Sequence, residues 1–357
     1  MSLEKKPELL IIDTHPLGTL TDTFMWCENL KGEYDITLLC FKNVHGAVTS
    51  MSGIKIKEVK YDNSLFIRGL RFILSSIITA STFRGKIFVV YFKGCNLLKT
   101  CLPWKRMNLD IRTLSVSQNK ETRDKLDAQI VATCRKYDSV SIISRGLIEK
   151  TGLKQAHLLP LGSNIISDAP KSYIGTVRLL YVGTLRGRNI DQTIAGFKQF
   201  VASHPDVDIH YDIIGTGSEQ ENNAITEMAA DPLIKDKITY HGFVRHTELS
   251  PFFQKANVGV AYVPVTEYYE FQPPTKVYEY ALSGLYTIAT DTFSNKELIT
   301  EQNGVVVKDT PEGFCHGIEK FVAMRHSLSE KAIRKSLADF TWNNVVEQFL
   351  RPILSSL

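Results

Sequence analysis

The sequence predicts an α/β protein of two similar halves, each a parallel sheet covered by helices, facing each other across a cleft. Short apolar runs alternate with longer amphipathic stretches along nearly the whole chain, as strands and crossover helices do in a parallel sheet. The alternation is interrupted at 162–173, where Gly, Ser and Pro content marks a linker. At 357 residues the chain has the length of two domains. Ligands of such sheets bind at the carboxyl ends of strands, and two facing halves make a cleft there.

Composition narrows the class. A hydrophobic fraction of 43% and a charged fraction of 22% are ordinary for a globular protein. No stretch reaches the ~20 apolar residues of a membrane span; the nearest, 65–80, is broken by Arg68, Gly69 and Arg71. Glu4, Lys5 and Lys6 precede a short apolar run that reads as a first strand, not a signal peptide. The six cysteines show no CxxC pair and no metal spacing, so free thiols in a reducing cytosol are expected. Charge is uneven. Residues 1–168 hold 24 Lys and Arg against 16 Asp and Glu, and the remainder 18 against 22. A basic first half fits an anionic partner, either a membrane surface or a phosphate-bearing acceptor, although an incidental bias would look the same.

In the first half, the run at 9–13 leads through a loop containing His15 and Gly18 into an amphipathic helix over 21–30. Strand, Gly-bearing loop and helix open a nucleotide-type α/β domain, but G-x-G-x-x-G is absent. Residues 36–41 and 54–59 read as strands, 64–81 as a helix apolar nearly all round, and 86–91 as a buried strand. Between 94 and 107 basic and apolar residues interleave, which suits a membrane interface or equally a packed helix with its lysines in water. A strand at 108–114 carries Asp110 and Arg112, a charged helix covers 119–137, and strands at 139–144 and 157–160 follow.

The second half has strands at 177–182, 208–214, 237–241, 258–263, 286–290 and 305–307, with helices between and over 311–354. Four places just after strands could hold a ligand. In the first, Arg186 and Arg188 flank Gly187 close to Thr184. Arginine meets phosphate oxygens in a bidentate way, and Arg188 is favoured. The second is Gly215-Thr-Gly217; it would let a ligand approach the backbone or would simply mark a tight turn. In the third, Gly242 exposes the main chain of Phe243 and Val244, suited to a nucleobase edge. His241 and His246 lie nearby without a third metal ligand. The fourth, 267–291, is the most specific. A helix starts at Pro273-Pro274, and the free N–H groups from Thr275 onward make an anion site to which Lys276 adds a full charge. Glu279 lies one turn further on the same face, placed for a sugar diol.

These motifs carry a resemblance. Tyr181-Val-Gly-Thr-Leu185, Arg188-Asn-Ile-Asp191, Ile213-Ile-Gly-Thr-Gly-Ser-Glu219, Tyr240-His-Gly-Phe-Val244, Ala256-Asn-Val-Gly-Val260 and Lys276-Val-Tyr-Glu-Tyr-Ala-Leu-Ser-Gly284 are similar to the donor-binding half of GT-B glycosyltransferases, especially the retaining family 4 (glycosyl transferases group 1). In the first half, Ser141-Ile-Ile-Ser144 and Leu159-Pro-Leu-Gly-Ser-Asn164 resemble that family's end-of-domain pattern. The resemblance implies an acceptor-binding domain over 1–165, a nucleotide-sugar-binding domain over 174–335, and a C-terminal helix over 336–357 crossing back to the first. It implies a UDP- or GDP-linked sugar as substrate, no cofactor, and no metal. Carried over by position, Arg188 and Lys276 hold the diphosphate, Glu279 the ribose hydroxyls, the backbone at Phe243 and Val244 the base, and Gly18 approaches the donor phosphates. One departure stands out: the family's carboxylate eight residues before Glu279 is replaced by Phe271, with Glu270 adjacent.

The expected function is therefore a hexosyltransferase-like glycosyltransferase passing a sugar, with retention, from a nucleoside-diphosphate donor to a sugar or lipid-linked acceptor in polysaccharide or glycoconjugate biosynthesis. Asp110, with Arg112 as partner, is the candidate for orienting the acceptor or stabilising charge at the anomeric carbon. A structural ion pair is the alternative reading of those two, and His15 is a second candidate. Cytoplasmic location with peripheral contact to the inner membrane face is expected, and no nucleic-acid partner. Two other functions stay open: a nucleotide-sugar epimerase on the same fold, and a non-catalytic nucleotide-sugar-binding subunit.

Overall fold

The computed structural model describes residues 6–42, 50–115, 117, 119–267, 269–273 and 275–357. The chain forms two units, Met1–Leu161 with Trp342–Leu357, and Gly162–Thr341.

The first unit runs β1 (Glu8–Ile12), α1 (Thr21–Leu30), β2 (Asp35–Phe41), β3 (Ile54–Val59), α2 (Leu65–Thr82), β4 (Lys86–Val90), α3 (Cys95–Cys101), β5 (Asn108–Ile111), α4 (Lys120–Cys134), β6 (Ser139–Ile142), α5 (Arg145–Thr151) and β7 (His157–Leu158). Its sheet is wholly parallel, in the order β3-β2-β1-β4-β5-β6-β7. Buried on both faces, the central strands are near-continuous Leu, Ile, Phe and Val.

The second unit runs β8 (Val177–Val182), α6 (Ile190–Ser203), β9 (Ile209–Ile214), α7 (Glu219–Ala229), β10 (Ile238–Gly242), α8 (Ser250–Lys255), β11 (Val258–Ala261), α9 (Thr275–Leu282), β12 (Tyr286–Thr290), α10 (Phe293–Leu298), β13 (Gly304–Val307), α11 (Pro311–Met324) and α12 (Glu330–Ser336). The order β10-β9-β8-β11-β12-β13 is again parallel throughout. Both sheets therefore start at their centre, grow outward one way for three strands, and then restart on the other side. That is the doubly wound Rossmann order, with a switch point beside the first strand.

Two boundaries differ from the sequence expectation. The 162–173 stretch is built into the second unit. The Ser283 hydroxyl accepts from the Ile166 N–H at 3.2 Å, the Tyr173 hydroxyl donates to the Gly284 carbonyl at 2.7 Å, and Arg334 donates to the carbonyls of Ser167 and Ala169. The chain rejoins the first unit at 342, not 336. There α13 (Trp342–Val345), a π turn (Val346–Leu350) and α14 (Arg351–Ser355) put Trp342, Val345, Leu350, Ile353 and Leu354 into the core formed by Leu9, Ile11, Trp26, Leu38 and Phe88.

Candidate functional site

At the switch point of the second sheet, past the carboxyl ends of β8 and β11, lies a cavity of about 350 Å³. Tyr181, Val182, Gly183, Thr184 and Arg188 line one side of it, Ala261, Tyr262 and Val263 another, and Tyr269, Gln272, Pro273, Thr275 and Lys276 complete it. The ladder of β11 stops at Ala261, so Tyr262 and Val263, expected in the strand, become cavity wall instead.

Local sequence explains how each group arrives. After β8 the loop turns through two left-handed residues, Gly187 (φ 63°) and Asn189 (φ 52°). Asn189 is the only non-glycine with positive φ among the described residues. Such conformations persist where the surroundings impose them, often at functional loops. The turn closes with the Arg188 N–H donating to the Leu185 carbonyl at 3.0 Å. The Arg188 guanidinium sits 4.6 Å from the centre of the Tyr269 ring, a cation–π contact that orients it. The Tyr181 hydroxyl donates to the Thr184 carbonyl at 2.6 Å and braces the same loop.

Helix α9 is held from behind. The Tyr280 ring is buried, and its hydroxyl accepts from the Val182 N–H at 3.0 Å. The ring lies directly over Gly259 of β11, where a Cβ would come within 2.2 Å of Tyr280 Cγ. Gly259 thus lets α9 approach the sheet closely enough to bring its first turn to the end of β8. The Lys276 stem then passes Gly183, with 3.5 Å between Lys276 Cε and the place a Cβ would take. Lys276 Nζ donates to Glu279 at 3.1 Å. Two cationic side chains and a helix N-terminus meet at one concavity, an arrangement suited to a di-anion. Burial pushes the Tyr181 and Tyr262 hydroxyls above their ordinary range, so both remain neutral donors. The Tyr262 hydroxyl is buried at the wall with no hydrogen-bond partner among the described residues.

The remaining predicted residues are placed differently. Pro274 lies outside the described residues. Arg186 is exposed and absent from the cavity wall. Gly215 and Gly217 serve loop packing. A Cβ on Gly215 (φ 143°) would fall 1.6 Å from the Gly183 carbonyl oxygen, and one on Gly217 2.6 Å from a Glu221 oxygen. The tight-turn reading accounts for that motif. Phe243 is 73% exposed, and neither it nor Val244 borders the cavity. Glu279 is paired with the wall residue Lys276 and does not itself line the cavity. Glu270, next to the substituted Phe271, is committed elsewhere: its carboxylate accepts from the Phe293 N–H at 3.1 Å, at the start of α10. Phe271 packs against Phe293 with the rings tilted by 48° and their centres 5.3 Å apart. Sequence reasoning missed Tyr262, Tyr269 and the Gly259–Tyr280 pair as shapers of the site. Arg188 and Tyr269 are 81 positions apart, and nothing local signals their contact.

In the first unit, Gly18 is left-handed (φ 82°) in the loop after β1. Asp110, the candidate for acceptor or anomeric-carbon work, lies in β5. It is 0% exposed. Its carboxylate accepts from the Ser141 hydroxyl at 2.5 Å, and Arg112 stands 3.7 Å away. Burial pushes its pKa up to about 7, against the opposing pull of Arg112 and Ser141. Arg112 is itself bound to Asp22 at 2.9 Å and to the Leu159 carbonyl at 2.7 Å. The ion-pair reading of a strand end fits this geometry.

His15 donates through its backbone N–H, and pairs through Nδ1, to buried Asp13 at 2.9 Å in each case. The hydrogen bond to Asp13 raises its pKa, opposed by partial burial and helped by the Asp13 charge. A raised folded pKa stabilises the fold below the ordinary histidine pKa of about 6.5, and the contribution fades as pH rises through the raised value. His15→Ala is therefore expected to cost stability at pH 6 and little at pH 9. The difference stays below ~1 kcal/mol because the ring is half-exposed. Urea denaturation at the two pH values checks this; an equal loss at both would contradict the charged pairing.

The comparisons with known proteins follow this geometry. Residues 176–324 match the family model described as glycosyl transferases group 1. That span contains the whole cavity wall. Among solved structures, sucrose-phosphate synthase from Thermosynechococcus elongatus superposes with TM-score 0.73 at 16% identity, over 99% of this chain and 100% of that one. The lipopolysaccharide outer core galactosyltransferase WaaB gives 0.73 at 14%, over 98% and 100%. Anabaena HepE in complex with UDP gives 0.72 at 12%, over 99% and 100%. At these identities the likeness is one of fold: the two-sheet α/β architecture predicted from the sequence. No curated protein matches the chain in sequence.

Proposed function

We propose that this protein is a glycosyltransferase that takes its sugar from a nucleoside-diphosphate donor bound in the second unit. The observation that carries the reading is the convergence of Arg188, Lys276 and the α9 N-terminus on one cavity at the switch point. Support comes from the family match over 176–324, and from UDP in the HepE structure of the same fold. In the proposed reaction the bond from the anomeric carbon to the diphosphate breaks, and its electron pair leaves with the phosphate oxygen. Arg188, Lys276 and the helix dipole meet that developing charge, so the proposal invokes no metal. The acceptor hydroxyl attacks from the same face and passes its proton to the departing phosphate, which gives retention. We assign the ribose hydroxyls to Glu279, the base to the backbone at Phe243 and Val244, and the acceptor, a sugar or lipid-linked sugar, to the first unit.

The test is a panel of UDP- and GDP-sugars, each with and without candidate acceptors, monitored by release of nucleoside diphosphate and by NMR of the product's anomeric configuration. Acceptor-dependent release with retained configuration is expected. An epimerised donor in the absence of acceptor would replace the proposal with an epimerase. Binding without turnover across the panel would replace it with a binding subunit.

A further inference from the structure

We infer that the α2–α3 face of the first unit docks on the surface of an anionic phospholipid bilayer, with α2 lying in the plane of the interface. The starting point is an inversion on α2. Its solvent side carries Phe66, Leu70, Leu74 and Ile78, four apart and so in one stripe, exposed by 78%, 47%, 50% and 63%. The side turned into the unit carries Phe72 but also Ser76, Thr79 and Ala80, all buried. A helix of a water-soluble surface has the opposite arrangement. An exposed apolar patch of this extent marks an interaction site.

The patch continues beyond α2. Gly94, at the start of α3, approaches so closely that a Cβ there would lie 2.5 Å from Ile73. Lys105 donates to the Phe83 carbonyl at the end of α2. That bond brings the 103–106 turn, and with it Trp104 at 70% exposure, to the rim. Tryptophan beside an apolar stripe suits the headgroup level of a bilayer.

Charge selects the occupant. Residues 55–106 hold 11 Lys and Arg and only 2 Asp and Glu, a surplus larger than the net +4 of the whole chain. Arg84 lies two residues past the end of α2, Lys93 precedes Gly94, and Arg106 follows Lys105; all three are exposed. Lys99, within the basic and apolar stretch 94–107, is not one of them. It is buried, bonded to Asp138 at 2.6 Å and to the carbonyls of Pro103 and Lys105. A second copy of this face would set like charge against like charge, whereas anionic lipid complements it. The helix lies on the membrane instead of crossing it. α2 is long and apolar enough to span, with a mean hydropathy of 1.3 over its 18 residues, but Phe72 and its neighbours anchor it in the core.

The experiment uses the full chain and no sugar donor, so its outcome is independent of the transferase reading. The protein is floated with vesicles of phosphatidylcholine alone, or of an equal mixture with phosphatidylglycerol. Roughly tenfold greater partitioning into the mixed vesicles at low salt is expected. Tryptophan emission should shift to shorter wavelength. Trp26 and Trp342 are buried, so the shift reports Trp104. The exposed-site variant L70S/L74S should lose roughly tenfold in partitioning with an unchanged thermal midpoint, and R84E/K93E should lose the preference for phosphatidylglycerol. Absence of partitioning into either vesicle would overturn the inference, as would L70S/L74S floating like the wild type. A dimer in sedimentation velocity that L70S/L74S dissolves would assign the face to a second copy instead.

Discussion

On the proposed function, Lys276→Ala is expected to lower kcat/KM for nucleotide-sugar turnover by about 10²–10³-fold, equivalent to roughly 3–4 kcal/mol of transition-state stabilisation. The ammonium reaches the cavity from the first turn of α9, beside the N–H groups that the helix itself cannot satisfy. Charge at the leaving phosphate grows as the sugar departs, so the loss should appear mainly in kcat. Two comparisons make the result specific. Arg188→Lys keeps the charge but loses the planar fork and its stack on Tyr269, and should recover little of the activity that Arg188→Ala removes. Tyr269→Ala leaves both cations in place but frees Arg188, and should cost about tenfold. Steady-state kinetics on the four variants, with circular dichroism to confirm folding, decide the matter. Wild-type rates in both Lys276→Ala and Arg188→Ala would remove the diphosphate from this cavity.

Trp342→Ala is expected to destabilise the first unit by about 3–5 kcal/mol, the range for emptying a large aromatic site in a core. The indole is buried with Val345 and Leu350 against the strands and α1. The residue lies at the far end of the sequence from Leu9, Ile11 and Trp26, so the loss would show that 342–357 completes the first unit's core. An internal contrast is available nearby. The ion pair of Arg351 with Glu33 joins a half-buried to an exposed side chain, and Arg351→Ala should shift stability by no more than about 1 kcal/mol. Urea denaturation followed by fluorescence measures both. Equal, small effects would mean that the C-terminal segment is only loosely attached.

Much of the fold was readable because its signals are local. A helix expected at 21–30 is α1, and a strand expected at 177–182 is β8. Longer expectations shrink at their ends. The 108–114 strand stops at Ile111, where Arg112 turns to Asp22 and Leu159, and the 119–137 helix ends at Cys134. Of the cavity lining, Arg188, Thr184, Thr275 and Lys276 were singled out by a simple rule: charged or N–H-rich positions just after strands of a parallel sheet. That rule does not separate side chains that reach the cavity from those that pack beside it. Gly215, Gly217 and Asp110 meet the same criterion, and each is used to close the structure around itself.

The sequence by itself determined the two parallel α/β units, their strand positions and the start of α9, because periodicity, glycine turns and helix starts are written within a few residues. Only the tertiary structure decided three things: that Asp110 is sealed beneath Ser141 and Arg112, that Tyr269 aims Arg188, and that α2 turns its most apolar side outward. A helix apolar nearly all round carries no internal mark of which face the core will take. Burial and long-range contact depend on partners tens or hundreds of residues away, so they exist only once the chain has folded.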